Sequence, residues 1–103
     1  MHELIVSVNA DLSTKFNQAL SQNELQEKIA AFINDLITRD FQKLLFILYR
    51  LDISEQKLKN MLETADQDAG SIISGLIVER ELQKIETRKQ YRSNIDLPDE
   101  EKW

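Results

Sequence analysis

The chain has 103 residues, which is enough for one domain with a single modest hydrophobic core. Only two glycines and one proline are present, so turns must be few, and helices are favoured over a turn-rich β fold. The absence of cysteine excludes disulfides, thiolate zinc sites and cysteine nucleophiles. A net charge of −5, from 18 acidic and 13 basic residues, opposes general affinity for nucleic acids.

The N-terminal segment predicts neither export nor membrane insertion. Its sequence, MHELIVSVNADL, lacks the basic start and long apolar stretch of a signal peptide. No stretch of the chain approaches the roughly 20 apolar residues that a transmembrane helix needs. We therefore expect a cytoplasmic protein without membrane contacts.

The sequence of the first residues does not determine their secondary structure. The apolar segment 4–8 (LIVSV) is too short for periodicity to decide among a strand, a helical turn and an extended arm. We predict a single helical domain over residues 1–92, with residues 1–10 as a possible extended arm. A weak helix is expected from Asp11 to Leu20, and residues 93–103 are expected to form an acidic C-terminal tail.

A clear helix begins after Ser21. Ser21 and Glu24 have the spacing of a capping box, in which each side chain bonds a free backbone N–H of the other residue. Apolar residues then recur at spacings of three and four as far as Leu51. Asp40 could cap a second helix, but the uninterrupted apolar row favours one long central helix from Gln22 to Leu51. Its segment 41–51 (FQKLLFILYRL) is apolar on all sides, so we expect other helices or a second copy of the chain to cover it.

Two further helices follow. Ser54 is a predicted cap for a helix that ends near Thr64 and places Leu58, Met61 and Leu62 inward. Asp68 is a predicted cap for the last helix, which runs from about Ala69 to Tyr91. The expected apolar face of this last helix comprises Ile72, Ile73, Leu76, Ile77, Leu82 and Ile85. At Gly75 we expect a close crossing with the helix that carries Phe41 or Phe46.

The pattern of polar residues favours no catalytic, cofactor or metal site. His2 is the only histidine and has no evident partner to orient it. The calcium-loop-like segment from Asp66 has Ser71 and Ile77 where the loop requires Gly and Glu, so capping explains it better. The carboxylates are expected on exposed helix faces, without raised pKa values. We therefore expect no enzyme and no cofactor.

One group of basic residues gives an alternative function. Arg80, Lys84, Arg88 and Arg92 follow each other at i+4 spacing and predict a slanting basic stripe on the last helix. Such a stripe could contact the phosphates of a nucleic acid or an acidic partner. The competing interpretation is a solvated helix face on which Glu79, Glu81 and Glu86 alternate with these bases. The negative net charge favours the second interpretation.

Two segments of the chain have distinctive patterns: Leu48–Glu55 read LYR-hydrophobic-D-x-SE, and Glu79–Lys84 read ER-x-LQK. In these patterns the chain resembles a family of short bacterial helical proteins that has no assigned activity. The resemblance covers roughly residues 35–92. It implies an all-helical chain that is a complete protein, and it implies no catalytic or binding residues.

Taken together, these patterns predict an all-α bundle of four to five helices. The long apolar helix offers more surface than the other elements can cover, so we expect a homodimer joined by the long helices or by the N-terminal segments. The expected function is that of a small, non-catalytic protein-interaction or regulatory protein. The alternative is a nucleic-acid-associated helical protein that uses the basic stripe.

Overall fold

The computed structural model describes residues 2–64 and 68–95, with side chains up to residue 91. Across these residues it contains no strand, which confirms the all-α prediction of four to five helices. The helices within the described ranges are α1 (His2–Leu12), α2 (Gln22–Arg39), α3 (Phe41–Arg50), α4 (Glu55–Thr64) and α5 (Ala69–Ile95). α5 continues beyond the predicted boundary at residue 92, and residues 96–103 of the predicted tail lie outside the described part.

The N-terminal segment is a helix, so the strand and extended-arm alternatives are wrong over residues 2–10. Its apolar residues Leu4, Ile5, Val8 and Leu12 are all at most 2% exposed. Successive members of this set are one, three and four residues apart, which places them on one helix face. Burial of this face outweighs the low helix propensity of the β-branched residues. α1 ends at Leu12 because Ser13 adopts a positive φ of 57°. The weak helix predicted from Asp11 to Leu20 is therefore also wrong.

The start of α2 matches the prediction, but its length does not. The capping box is present, with Glu24 Oε1 accepting from the Ser21 backbone N–H at 2.8 Å. At Asp40 the backbone turns to φ −153° and ψ 70°, so one continuous central helix from Gln22 to Leu51 is wrong. The Asp40 carboxylate accepts a hydrogen bond from the Lys43 backbone N–H at 3.1 Å and thereby caps α3.

α2 and α5 form the centre of the bundle and run antiparallel. Asn34, near the end of α2, accepts a hydrogen bond from the Gly70 backbone N–H at 3.1 Å. At the other end, Gln22 lies beside Leu82 and Ile85. The buried apolar core draws on α1, α2, α3, Leu51 and α5: Leu4, Ile5, Val8, Leu12, Leu25, Ile29, Ile33, Leu36, Leu44, Ile47, Leu48, Leu51, Ile73, Ile77, Val78 and Ile85.

The close approach of α5 to a neighbour occurs at a different glycine and with a different helix. A Cβ at Gly70 would lie 2.5 Å from Asn34 side-chain atoms, so this glycine is what lets the start of α5 contact α2. A Cβ at Gly75 would meet only Gln26 of α2, at 3.5 Å. The predicted crossing of Gly75 with the helix that carries Phe41 or Phe46 is therefore wrong.

α4 lies at the edge of the bundle. Ser54 caps it as predicted, since Ser54 Oγ accepts from the Lys57 backbone N–H at 3.2 Å, and the helix ends at Thr64. No residue of α4 is buried, although the structure describes the whole helix. Leu58 packs partly on the core, whereas Met61 and Leu62 are 37% and 40% exposed, so their predicted inward position is wrong.

The start of α5 and most of its buried face match the predictions. Asp68 caps the helix as predicted, since its carboxylate accepts from the Ser71 backbone N–H at 3.2 Å and from Ser71 Oγ at 2.8 Å. The predicted apolar face is buried at every position except Leu82, which is 42% exposed. In the part of the chain that the structure describes, no helix is long and apolar enough to cross a membrane.

Candidate functional site

One side of α3 is covered by the bundle and the other is not. Leu44, Ile47 and Leu48 are buried against the core. The opposite side exposes four large apolar side chains, which we call the α3 outer face: Phe41 (52% exposed), Leu45 (45%), Phe46 (58%) and Tyr49 (83%). Among the described residues α3 is thus covered on one side only, so other helices supply part of the expected cover, and cover by a second copy of the chain stays a prediction.

The α3 outer face carries no charge. Phe41, Leu45 and Tyr49 follow each other at i+4 spacing along one helix line, and Phe46 lies beside them. The one polar residue among them is Gln42. The charged residues of α3 lie at the edge, where the Arg50 guanidinium is 5.7 Å from the centre of the Phe46 ring. Solvent-facing helix surfaces are usually polar, and contiguous apolar patches typically mark interaction sites.

The predicted basic stripe on α5 is engaged with the chain itself at the described positions. Arg80 Nε donates to the backbone oxygen of Leu51 at 2.7 Å. Lys84 Nζ lies 2.6 Å from Asp11 Oδ2, and Arg88 Nη2 lies 3.5 Å from Ser7 Oγ. The side chain of Arg92 lies outside the described residues. These contacts do not test binding of a nucleic acid or an acidic partner, which stays a prediction.

A group of polar side chains lies between α1 and α5, and we call it the α1–α5 carboxylate cluster: Ser7, Asp11, Glu81 and Lys84. Glu81 is 0% exposed. Its Oε1 atom accepts a hydrogen bond from Ser7 Oγ at 2.7 Å and lies 3.7 Å from Lys84 Nζ. Its Oε2 atom is buried and accepts no hydrogen bond from an N–H or O–H group of the described residues, so a hydrogen bond with the neighbouring Asp11 carboxylate requires a proton on one of the two carboxyl groups. The expectation that Glu81 belongs to a solvated helix face is therefore wrong.

The two carboxyl groups of this cluster have opposite pKa shifts. Burial, followed by the hydrogen bond with Asp11 and the negative charge of Asp11, raises the pKa of Glu81 to about 7. Burial also acts to raise the pKa of Asp11, but hydrogen bonds with Glu81 and Lys84 and the positive charges of Lys84 and Arg50 lower it overall. The expectation that no carboxylate has a raised pKa is wrong. At neutral pH the cluster therefore holds an ionised Asp11 beside a Glu81 that is partly protonated.

The sequence contains one signal that could have located this cluster. Ile77, Glu81 and Ile85 stand at i+4 spacing, and both isoleucines belong to the apolar face of α5. A glutamate between two core positions of the same helix line must be buried, and a buried carboxyl group requires partners or a proton. The partners themselves, Ser7 and Asp11, could not be located without knowing that residues 2–12 form a helix beside α5.

The other polar residues considered in the sequence have local roles or remain apart. His2 begins α1 and lines an open groove between α1 and α5. Asp68 serves as a helix cap, and Asp66 lies outside the described residues. Among the described residues, no three acidic, histidine or cysteine side chains gather in a group that could hold a metal ion.

No protein-family model, curated protein or solved structure matches this chain. The resemblance of residues 35–92 to short bacterial helical proteins therefore stays a prediction.

Proposed function

We propose that this chain is a small, non-catalytic interaction protein that acts as a homodimer, with the α3 outer face as the dimer interface. The observation that supports this proposal is the uncharged surface formed by four exposed large apolar side chains on a helix whose other side is buried. The sequence pattern supports a cytoplasmic location and a non-catalytic role.

The size of the α3 outer face suits the centre of an interface. A fully buried aromatic side chain removes about 150–250 Å² from water. At the exposures of Phe41, Leu45, Phe46 and Tyr49, the four side chains together leave on the order of 450 Å² uncovered. A standard interface buries about 800 Å² on each partner. The α3 outer face would therefore supply about half of the area that one partner buries in such an interface. Gln42, Arg50 and neighbouring polar residues would supply the rim.

The spacing of the face favours a second copy of this chain as the occupant. Phe41 and Tyr49 each lie four residues from Leu45, one on either side. If two α3 helices pack antiparallel about a two-fold axis at Leu45, each Phe41 lies opposite Tyr49 of the partner subunit. Both subunits then use the same patch, as an isologous interface requires. The antiparallel arrangement also places the positive end of each helix dipole near the negative end of the other, which is favourable.

Sedimentation equilibrium over about 1–100 μM protein tests this proposal with two matched substitutions. Leu45 and Leu82 are both leucines of similar exposure, 45% and 42%, on different helices. The wild-type chain should have twice its monomer mass of 12.0 kDa. Leu45→Glu should weaken dimerisation by about 100-fold or more, because a carboxylate on the axis would be buried against its own copy. Leu82→Glu should leave dimerisation unchanged.

Two results would contradict the proposal, and a third would favour the nucleic-acid alternative. A wild-type chain that stays monomeric over this range would exclude the dimer, and equal effects of both substitutions would exclude α3 as its interface. The same measurement with mixed RNA and DNA at low salt tests the alternative. A mass that rises with nucleic acid, and falls again when Arg80 and Lys84 are replaced by glutamine, would favour the basic stripe over the apolar face.

A further inference from the structure

We propose that the α1–α5 carboxylate cluster makes the docking of α1 on α5 dependent on pH, with α1 held tightly when Glu81 carries a proton and loosened when Glu81 ionises. This inference concerns a different surface from the α3 outer face and does not depend on dimerisation. It is carried by the geometry of the buried cluster, which places two carboxyl groups around one lysine.

The positive charge of Lys84 is already matched by Asp11. Lys84 Nζ lies 2.6 Å from Asp11 Oδ2 and 3.7 Å from Glu81 Oε1, so its stronger contact is with Asp11. An ionised Glu81 is then a second buried negative charge, and its Oε2 atom has no donor among the described residues. A protonated Glu81 is neutral and can donate that proton to Asp11. The cluster therefore favours the protonated form of Glu81.

The charged groups around Glu81 come from several helices. α1 contributes Asp11 directly, and Glu3 farther along the same groove, where it lies 3.7 Å from Lys89. α5 contributes Lys84 and also Arg88, whose contact with Ser7 Oγ is long at 3.5 Å. From α3, Arg50 adds positive charge near Asp11. On α2, Gln22 lies beside the segment of α5 that contains Glu81. The neighbouring Glu24 is hydrogen-bonded to the Ser21 backbone N–H in the helix cap.

α1 is the element whose movement would hydrate Glu81. Ser7 and Asp11 line an open groove of about 400 Å³ between α1 and α5, so water already reaches this side of the cluster. Glu81 lies behind them and is 0% exposed. An ionised carboxylate gains most by restoring its water shell, and the smallest change that admits water is a lifting of α1. Because Glu81 has a pKa of about 7, this change falls near neutral pH.

Hydrogen–deuterium exchange of the full chain tests this inference, with rates corrected for the intrinsic effect of pH on amide exchange. Amides of α1 should exchange with a larger opening constant than amides of α2, which would show that α1 opens by itself. The opening constant of α1 should rise about tenfold from about pH 6 to about pH 8, as expected when a group ionises more easily in the open state. An α1 opening constant that does not change with pH would overturn the inference.

Two glutamine substitutions on α5 sharpen the test. In Glu81→Gln the side chain keeps its size and stays neutral. The opening of α1 should therefore become independent of pH and lie below the wild-type value at about pH 6, near the value that the wild-type chain approaches below about pH 4.5. Glu86→Gln makes the same change at an exposed position of the same helix and should keep the wild-type pH dependence. A Glu81→Gln protein that keeps the dependence would overturn the inference. If this variant does not fold, the wild-type comparison of α1 with α2 still decides, and equal opening constants in both helices would overturn it.

Discussion

The α1–α5 contact and the α3 outer face depart from ordinary helix packing in opposite ways. Between α1 and α5 a glutamate is 0% exposed, whereas on α3 a tyrosine is 83% exposed and two phenylalanines are more than half exposed. In the first region the chain supplies partners for a polar group, namely Ser7, Asp11 and Lys84. In the second, the described residues leave four large apolar side chains between 45% and 83% exposed. The buried glutamate thus has polar partners within the chain, whereas the α3 outer face leaves apolar surface that a partner could remove from water.

The largest expected difference between the two regions is in the free energy of unfolding. Ile5 of α1 is 0% exposed, so Ile5→Ala should lower it by about 3 kcal/mol through lost burial and a residual cavity. Tyr49→Ala should lower it by less than about 0.5 kcal/mol when the protein is dilute enough to be monomeric, because Tyr49 is 83% exposed. Urea denaturation at fixed pH measures both. A loss at Tyr49 as large as that at Ile5 would mean that the α3 outer face is covered in the monomer.

The next largest effect is the pH dependence of stability. The pKa of Glu81 is raised from 4.5 to about 7, so the folded state binds this proton more tightly than the unfolded chain does. The resulting stabilisation is complete below about pH 4.5 and is lost as the pH rises through about 7. The lowered pKa of Asp11 acts in acid only, since its contribution is present above its unfolded pKa and is lost as the pH falls.

Between about pH 5 and about pH 8, the free energy of unfolding should therefore fall by about 2 kcal/mol because of Glu81. Urea titrations at several pH values measure this fall. In Glu81→Gln it should shrink to less than about 0.5 kcal/mol, whereas Glu86→Gln should behave like the wild-type chain. A wild-type stability that is constant or rises over this range would show that the cluster accommodates an ionised Glu81 without cost.

The parts of the fold that the sequence predicted are those with local causes. Ser21, Ser54 and Asp68 cap their helices through bonds to residues three positions later, and this spacing is visible in the sequence. Asp40 shows the limit of this reasoning. The same local signal was present there, but the apolar row that continues past it favoured one helix, and the row could not reveal that its two halves pack in different directions.

The candidate sites depended on long-range packing and were therefore harder to predict. Ser7 and Glu81 are 74 positions apart, and their contact exists only because α1 is a helix that packs against α5. For α3, the run of six apolar or aromatic residues from Leu44 to Tyr49 showed that more than one side was apolar. It could not show which side the bundle leaves open, because that depends on where α1, α2 and α5 lie.

The smallest expected effect compares two ion pairs within the α1–α5 contact. Lys84 and Asp11 lie 2.6 Å apart with side chains 29% and 19% exposed, whereas Lys89 and Glu3 lie 3.7 Å apart at 55% and 62%. Glu3→Gln should change the free energy of unfolding by about 0.3 kcal/mol, and 1 M salt should remove this difference, because water and ions screen exposed charges. Asp11→Asn should cost more than about 1 kcal/mol and respond less to salt, since it leaves Lys84 partly buried beside Glu81. Equal costs for the two substitutions, measured by urea denaturation at about pH 7, would mean that the cluster is hydrated as freely as the rim of the groove.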